Sequence, residues 1–141
     1  MGLVATFDPS AGNLSVNGLP IGGFADGTFL VIAREGPLYT IQRGADGEIS
    51  RSKNVADDAT ARVSLHQTSQ ANKIFSTMAQ LDRLTGKGIG AFLWTEGDNV
   101  VASIECWVEE LPSIEYAKEA GPREWILRLA KAEIVLGGNR R

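Results

Sequence analysis

The chain has 141 residues, of which 43% are hydrophobic and 22% are charged. This is the size and composition of one globular domain with an ordinary core, and it excludes disorder, collagen and coiled coil. Fourteen Lys and Arg against 17 Asp and Glu give a formal net charge of −3. That balance argues against a protein that grips nucleic acid, because such proteins usually carry a basic excess. We expect a single domain over residues 1–141.

Cysteine usage and hydropathy point to an intracellular site of synthesis. The single cysteine, Cys106, excludes an intramolecular disulfide and a multi-cysteine zinc site. The longest apolar run, residues 29–33, is far shorter than the ~18 residues that span a bilayer. The N-terminus lacks the basic region of a signal peptide, since the first positively charged residue is Arg34. We therefore expect synthesis in the cytoplasm and no membrane partner.

Short strand-like runs separated by turn residues dominate the first half of the chain. The predicted strands cover residues 3–7, 13–16, 28–33, 38–42, 48–53 and 60–66. An Asp46-Gly47 step predicts a hairpin turn between the fourth and fifth runs. The segment over residues 43–60 is long and polar. These properties predict an extended loop or hairpin that contacts an adjacent subunit.

One segment changes to a helical period. Its apolar residues recur at spacings of three and four and are Ala71, Ile74, Phe75, Met78 and Leu81. Thr68 or Ser69 can cap the start of the helix, and Gly86 lies just beyond its end. The pattern predicts a helix over residues 69–85 with its apolar stripe on a sheet.

The period returns to two after this helix. Runs over residues 91–95, 100–108 and 123–136 predict three further strands. One face of the second is predicted to hold Val100, Ala102, Ile104, Cys106 and Val108, and one side of the third Trp125, Leu127 and Leu129. We expect a mainly β (α+β) fold in which two packed antiparallel sheets, a β-sandwich or barrel, carry one flanking helix.

The residues give no support for an enzyme. His66 is the only histidine and lies on the polar side of an amphipathic strand. The glycines of residues 86–90 follow a helix instead of preceding one, which favours a helix end over a phosphate loop. The carboxylate pairs Asp57-Asp58 and Glu109-Glu110 lack metal-ligand spacing. We predict no catalytic residue, no cofactor and no metal site.

Two stretches carry a resemblance to a known family. The first runs from Thr40 to Glu48, through Ser52-Lys53, to the strand over residues 61–65. The second, the more specific, contains Tyr116-Ala117-Lys118, then Gly121 and Glu124-Trp125, and ends at residues 135–138. In order and spacing, residues 38–138 resemble the tail tube proteins of contractile-tailed bacteriophages, which are related in fold to type VI secretion tube proteins.

The resemblance implies a structural subunit of the virion tail. Six copies would form a ring, rings would stack into a tube, and duplex DNA would pass through without specific binding. Sheath, baseplate and terminator proteins would be its partners. Two alternatives stay open: a tail-completion or terminator protein that stops at one ring, and a small-ligand-binding β-barrel. A terminator would not elongate when purified, and a ligand-binding barrel would gain thermal stability from its ligand.

Three groups of residues are candidates for these roles. The inter-subunit loop candidates are Arg43, Asp46, Glu48, Arg51, Lys53, Val55, Asp57 and Asp58. Glu105 and Glu109 alternate away from the apolar face of their strand and are candidates for the lumen. Tyr116, just before the turn at residues 119–122, and Trp125, in the last predicted strand, are predicted to be structural, because large aromatic residues usually fill cores or subunit interfaces.

Overall fold

The computed structural model describes residues 11–138, which form ten strands and one helix. The helix, α1, spans Ala71–Thr85. The strands are β1 Asn13–Val16, β2 Leu19–Ile21, β3 Leu30–Arg34, β4 Tyr39–Arg43, β5 Ile49–Lys53, β6 Ala59–His66, β7 Gly90–Glu96, β8 Asn99–Glu110, β9 Pro122–Ala130 and β10 Glu133–Val135.

Within residues 11–138 the strands form two antiparallel sheets of unequal size. The main sheet has the order β2-β1-β7-β8-β9-β6-β3, and β10 pairs with the first half of β8. The second sheet is the β4–β5 hairpin, which is inserted between the adjacent strands β3 and β6. The predicted mainly β fold, with antiparallel sheets and one helix, is confirmed.

One face of the main sheet forms the core. In β6, alternate residues are buried, and Ala61, Val63 and Leu65 are fully enclosed. The partner strand β9 contributes Leu127 and Leu129 to the same apolar cluster. This alternation is the pattern of a strand with one face covered. The opposite face, including Arg62 of β6, is exposed.

Helix α1 covers part of the core face with its first two turns. Ser69 accepts a hydrogen bond at Oγ from the Ala71 amide (3.2 Å), and Gly86 ends the helix at φ +70°. Phe75 and Met78 are buried as the period predicts. Leu81 is exposed, so its predicted place in the apolar stripe is wrong. Met78 is the last buried residue of the helix, and no side chain in its last two turns is buried against the sheet.

The predicted face of β8 is correct only in its second half. Cys106 is fully buried, but Ile104 is 71% exposed, while Val101 and Ser103 are buried instead. The reason is an irregular register against β7, between the pairs Phe92–Ser103 and Gly90–Cys106. Such a bulge inserts one residue and reverses the alternation on one side of it.

Three other boundaries differ from the sequence predictions. The last predicted strand is divided into β9 and β10 by Lys131, whose φ is +49°. Strand β2 was not predicted, because it has three residues and follows the tight Asn17-Gly18 turn. The strand predicted over residues 3–7 lies outside the described residues. No helix within the described range is long and apolar enough to cross a membrane.

Candidate functional site

The two side chains best suited to catalysis, those of Cys106 and His66, do not form a reactive site. Cys106 is fully buried, and desolvation together with the charge of Glu105 raises the pKa of its thiol from 9.0 to about 12. A thiol with such a pKa is a poor nucleophile at neutral pH. His66 is exposed, and its Nδ1 lies 3.0 Å from the Thr68 hydroxyl. Nowhere in residues 11–138 do three metal-ligating side chains cluster.

Exposed surfaces are the more informative features, and the β4–β5 hairpin is the first. Every residue of both strands is exposed. Ile41 and Ile49 are 64% and 61% exposed. Large apolar side chains displayed together on a projecting element are typical of an interaction site.

The two faces of the hairpin differ in chemistry. The pairs Tyr39–Lys53, Ile41–Arg51 and Arg43–Ile49 share one face because directly opposed residues of an antiparallel pair point the same way. That face, the basic face, consists of Tyr39, Ile41, Arg43, Ile49, Arg51 and Lys53. The opposite face holds the short uncharged residues Thr40, Gln42, Ser50 and Ser52.

Hydrogen bonds fix the base and the tip of the hairpin, although both of its strands are exposed. At the base, the Asn54 side chain donates to the Pro37 carbonyl (2.9 Å), and Arg34 donates to the Ala56 carbonyl (2.7 Å). At the tip, Asp46 accepts from the Glu48 amide (3.1 Å), and Gly47 has a φ of +86°. The hairpin is therefore a defined structure that projects from an anchored base.

The eight predicted loop residues occupy three places. Arg43, Arg51 and Lys53 lie on the basic face, where the Arg51 guanidinium stacks 4.1 Å from the centre of the Tyr39 ring. Asp46 and Glu48 lie at the tip, and Val55 lies exposed beside the base. Asp57 and Asp58 form ion pairs within the chain, with Arg34 (3.1 Å) and Arg128 (3.2 Å).

Arg128 is the centre of an ion-pair cluster on the exposed face of the main sheet. Its Nε lies 2.6 Å from Glu109, and its Nη1 lies 3.3 Å from Glu35 and 3.2 Å from Asp58. The hydrogen bond from Arg128 to Glu109 and the three negative charges raise the pKa of the guanidinium. Glu35 also accepts a hydrogen bond from the Thr60 hydroxyl.

The two lumen candidates are both engaged within the chain. Glu105 is half-buried and accepts a hydrogen bond from the Gly90 amide (2.9 Å), which fixes the connection between α1 and β7. Glu109 is exposed and bonded to Arg128. Their position relative to a channel stays a prediction, but each carboxylate has a structural partner as well.

The connection between β8 and β9, residues 111–121, is a second exposed surface. Its large apolar side chains Leu111, Ile114 and Tyr116 all point into solvent. Gln67 holds the segment, because it donates to the Glu115 carbonyl (3.4 Å) and accepts from the Gly121 amide (3.1 Å). Between this segment and β9 lies a groove of about 520 Å³.

The two predicted structural aromatics have different surroundings. Trp125 is 3% exposed, packs against Phe75 with ring centres 5.4 Å apart, and donates from Nε1 to Asn72 Oδ1 (2.8 Å). Tyr116 is 80% exposed. A side chain so exposed buries little surface within the chain, so the structural role of Tyr116 stays a prediction, for a contact between subunits.

The sequence predicted both strands of the hairpin, but it left the first strand out of the contact loop and did not show the exposure of residues 111–121. The predicted loop began at Arg43 and omitted Tyr39 and Ile41, which complete the basic face. A period-two count across both strands would have shown the segregation of charged and small polar residues. In the second segment, Leu111 and Ile114 flank prolines and polar residues in no regular period, so the sequence carries no signal of their exposure.

Another groove, of about 890 Å³, runs along the core face beyond the helix. It is open and mostly apolar, with Phe29, Ile32 and Trp94 among its lining residues. Its buried polar side chains Glu96 and Asn99 are hydrogen-bonded to each other (3.1 Å). Arg34 is a further polar residue of its lining.

Comparison with known proteins finds a relative in sequence and several similar solved structures. The chain is 25% identical over 150 residues to structural protein ORF10 of Pseudomonas phage KPP10, and the alignment covers 99% of this chain and 87% of the phage protein. No protein-family model matches it. In structure it is similar to the tube-terminating cap of the anti-feeding prophage, with a TM-score of 0.61 and 11% identity over 97% of this chain and 95% of the other.

The second structure is the sheath/tube terminator of an extracellular contractile injection system, PVC, in the extended state. It has a TM-score of 0.57 and 13% identity, over 96% of this chain and all of the other. At these identities the likeness shows a shared fold.

Proposed function

We propose that this protein is the terminator of a contractile phage tail, a ring that closes the end of the tail tube. The observation that carries the proposal is the end-to-end likeness in fold to two tube terminators. The sequence relative, which is itself named a phage structural protein, supports a place in a virion. The similar proteins are structural by name, which supports a non-enzymatic role.

The architecture of the subunit suits ring formation. Among the described strands, β2 and β3 lie at the two ends of the main sheet and have free edges. Exposed edges are a liability in a monomer, and a closed ring of subunits covers them. The basic face of the hairpin adds apolar side chains that no residue of the described chain covers. We infer six copies per ring, as the resemblance to tube proteins implies.

A terminator position defines the other partners. One side of the ring would meet the last ring of the tube, and the outside would meet the sheath. Duplex DNA would pass through the channel without specific binding, since phosphate contacts from lysine and arginine would add salt-dependent affinity and slow its passage. The mature location would be the virion tail, after synthesis in the cytoplasm of the bacterial host.

Electron microscopy of the purified full chain tests this function. We expect closed single rings that do not grow into tubes at high protein concentration. Long tubes would contradict the terminator assignment and restore the tube subunit. A strictly monomeric protein, shown by sedimentation up to high concentration, would contradict both. Protection against melting by an apolar ligand without ring formation would favour the ligand-binding alternative.

A further inference from the structure

The chain carries two exposed surfaces of opposite charge, each with three large apolar side chains. The basic face displays Tyr39, Ile41 and Ile49 with three cations. The second surface, which we name the acidic segment, spans residues 109–124 and displays Leu111, Ile114 and Tyr116. It carries five glutamates (Glu109, Glu110, Glu115, Glu119 and Glu124) against Lys118 and Arg123.

We propose that the basic face of one copy docks on the acidic segment of the next copy in the ring. This contact deepens the terminator function proposed above and rests on it. Opposite charges around an apolar centre supply both attraction and register, as at other specific protein interfaces. The groove of about 520 Å³ beside the acidic segment offers a seat for an apolar side chain.

The hairpin and the connection over residues 111–121 leave the sheet at opposite ends of the same strands. The hairpin leaves the sheet where Arg34 pairs with Ala59, at the start of β6. The acidic segment enters β9 at Pro122, which pairs with His66 at the end of β6. Strand β6 has eight residues and is about 25 Å long at roughly 3.3 Å per residue. Within one subunit, residues 111–121 are therefore anchored far from the base of the hairpin, whereas Glu109 at the start of the acidic segment lies near that base through Arg128.

This placement has a consequence for assembly. A contact between two different surfaces of identical subunits is heterologous, and it produces a closed ring when the rotation between neighbours completes a circle. A two-fold dimer that used the same two surfaces would have to form both basic–acidic contacts at once, one in each direction. Sedimentation and electron microscopy distinguish such a dimer from a closed ring.

Not every charge in these surfaces is free for the contact. Glu109 and Glu124 are already paired, with Arg128 and Arg62. No such bond is found for Glu115 and Glu119 side chains among the described residues, nor for Arg43 and Lys53. These four side chains are therefore the best positions for charge reversal without damage to the fold.

Charge reversal in the full chain tests the contact. Arg43→Glu with Lys53→Glu, and separately Glu115→Lys with Glu119→Lys, should each weaken ring formation at least about tenfold. The chain with all four changes should form rings again, because its reversed surfaces are complementary. The control is Ser50→Glu with Ser52→Glu on the other face of the same hairpin, which should form rings like the unmodified chain. Sedimentation and electron microscopy give the readout, with melting temperature to verify folding.

The outcomes separate this contact from the function. If the unmodified chain forms rings and either double variant does too, the contact is wrong and the terminator function stands. If both double variants lose rings but the four-fold variant stays monomeric, the contact is also wrong. If the unmodified chain grows into tubes, the charge series still tests the contact, while the terminator function fails. A monomeric unmodified chain overturns both.

Discussion

The surroundings of Trp125 and the β4–β5 hairpin represent opposite ways of using a β-strand. Around Trp125, the sheet and the helix bury the indole and Phe75, and the indole has both ring packing and a hydrogen bond. In the hairpin, two regular strands expose all their residues. A two-stranded hairpin without cover is at best marginally stable in water. The comparison teaches that stability of the subunit and contact between subunits reside in separate parts of the chain.

Trp125→Ala should give the largest loss of stability. Removing a buried Trp costs about 3–5 kcal/mol, and here it also leaves the buried Asn72 oxygen without its donor. In a chain of this size such a loss lowers the melting temperature by about 10–20 °C, and we expect poorly soluble protein.

Tyr116→Ala is the matched control, because the second aromatic side chain is exposed. Its effect on unfolding should stay within about 0.5 kcal/mol. Urea unfolding of both variants gives the free energies. Equal losses for the two variants would contradict the division between core and contact surfaces.

Cys106 should make the core sensitive to alkaline pH. Its thiol has a pKa of 9.0 when exposed and about 12 when folded, so the unfolded chain loses this proton first as pH rises. Between those values the unfolded state binds fewer protons, and stability falls by about 1.4 kcal/mol per pH unit from this group. Below pH 9 the contribution is flat.

The difference between the unmodified chain and Cys106→Ala isolates this effect from lysine and tyrosine titration. Free energies of unfolding should converge, or cross in favour of the variant, as pH rises from 9 to 11. A constant difference across that range would mean that the thiol is not desolvated in the folded chain. Slow reaction with a thiol reagent at pH 8 is the companion measurement.

Removal of the hairpin should change the free energy of unfolding little but should abolish ring formation. Replacing residues 41–51 by Asn-Gly joins Thr40 to Ser52, a directly opposed pair, through a two-residue turn. The replacement removes no buried side chain and keeps the anchors at Asn54 and Arg34. We expect a change below about 1 kcal/mol in unfolding and loss of rings. A loss comparable to that of Trp125→Ala would show that the hairpin belongs to the core.

The sequence predicted correctly which strand residues are buried where apolar and polar residues alternate without interruption. It predicted burial less well where a bulge or tertiary packing decides which side chains are exposed. Val63 and Leu65 alternate with polar neighbours, and their burial follows. The bulge before Cys106 reverses the face of Ile104, and no residue type in that strand announces it. Exposure of Tyr116 depends on which elements pack against residues 111–121, and this is a tertiary property that local pattern does not contain.

The candidate surfaces show the same limit. The polarity of residues 43–60 predicted a loop for contacts, but the segregation of Arg51 from Ser50 and Ser52 needs the strand pairing. The charge on the acidic segment is visible in the sequence, whereas its distance from the hairpin follows from the register of β6 and β9. The sequence thus shows the charged residues of both surfaces, and the strand pairing shows where the two surfaces lie relative to each other.

The smallest expected effect is that of duplex DNA. We expect no measurable binding of duplex DNA to assembled rings. Six copies, each with a formal charge of −3, would carry −18, and the basic face would be covered by the neighbouring acidic segment. A titration at low salt is the most demanding condition, because screening is then weakest. If rings bind DNA with an affinity that falls steeply with salt, the chain in which residues 41–51 are replaced by Asn-Gly identifies the source. If that chain still forms rings but no longer binds DNA, the basic face lies against DNA instead of a second copy, and the docking proposal would have to be abandoned.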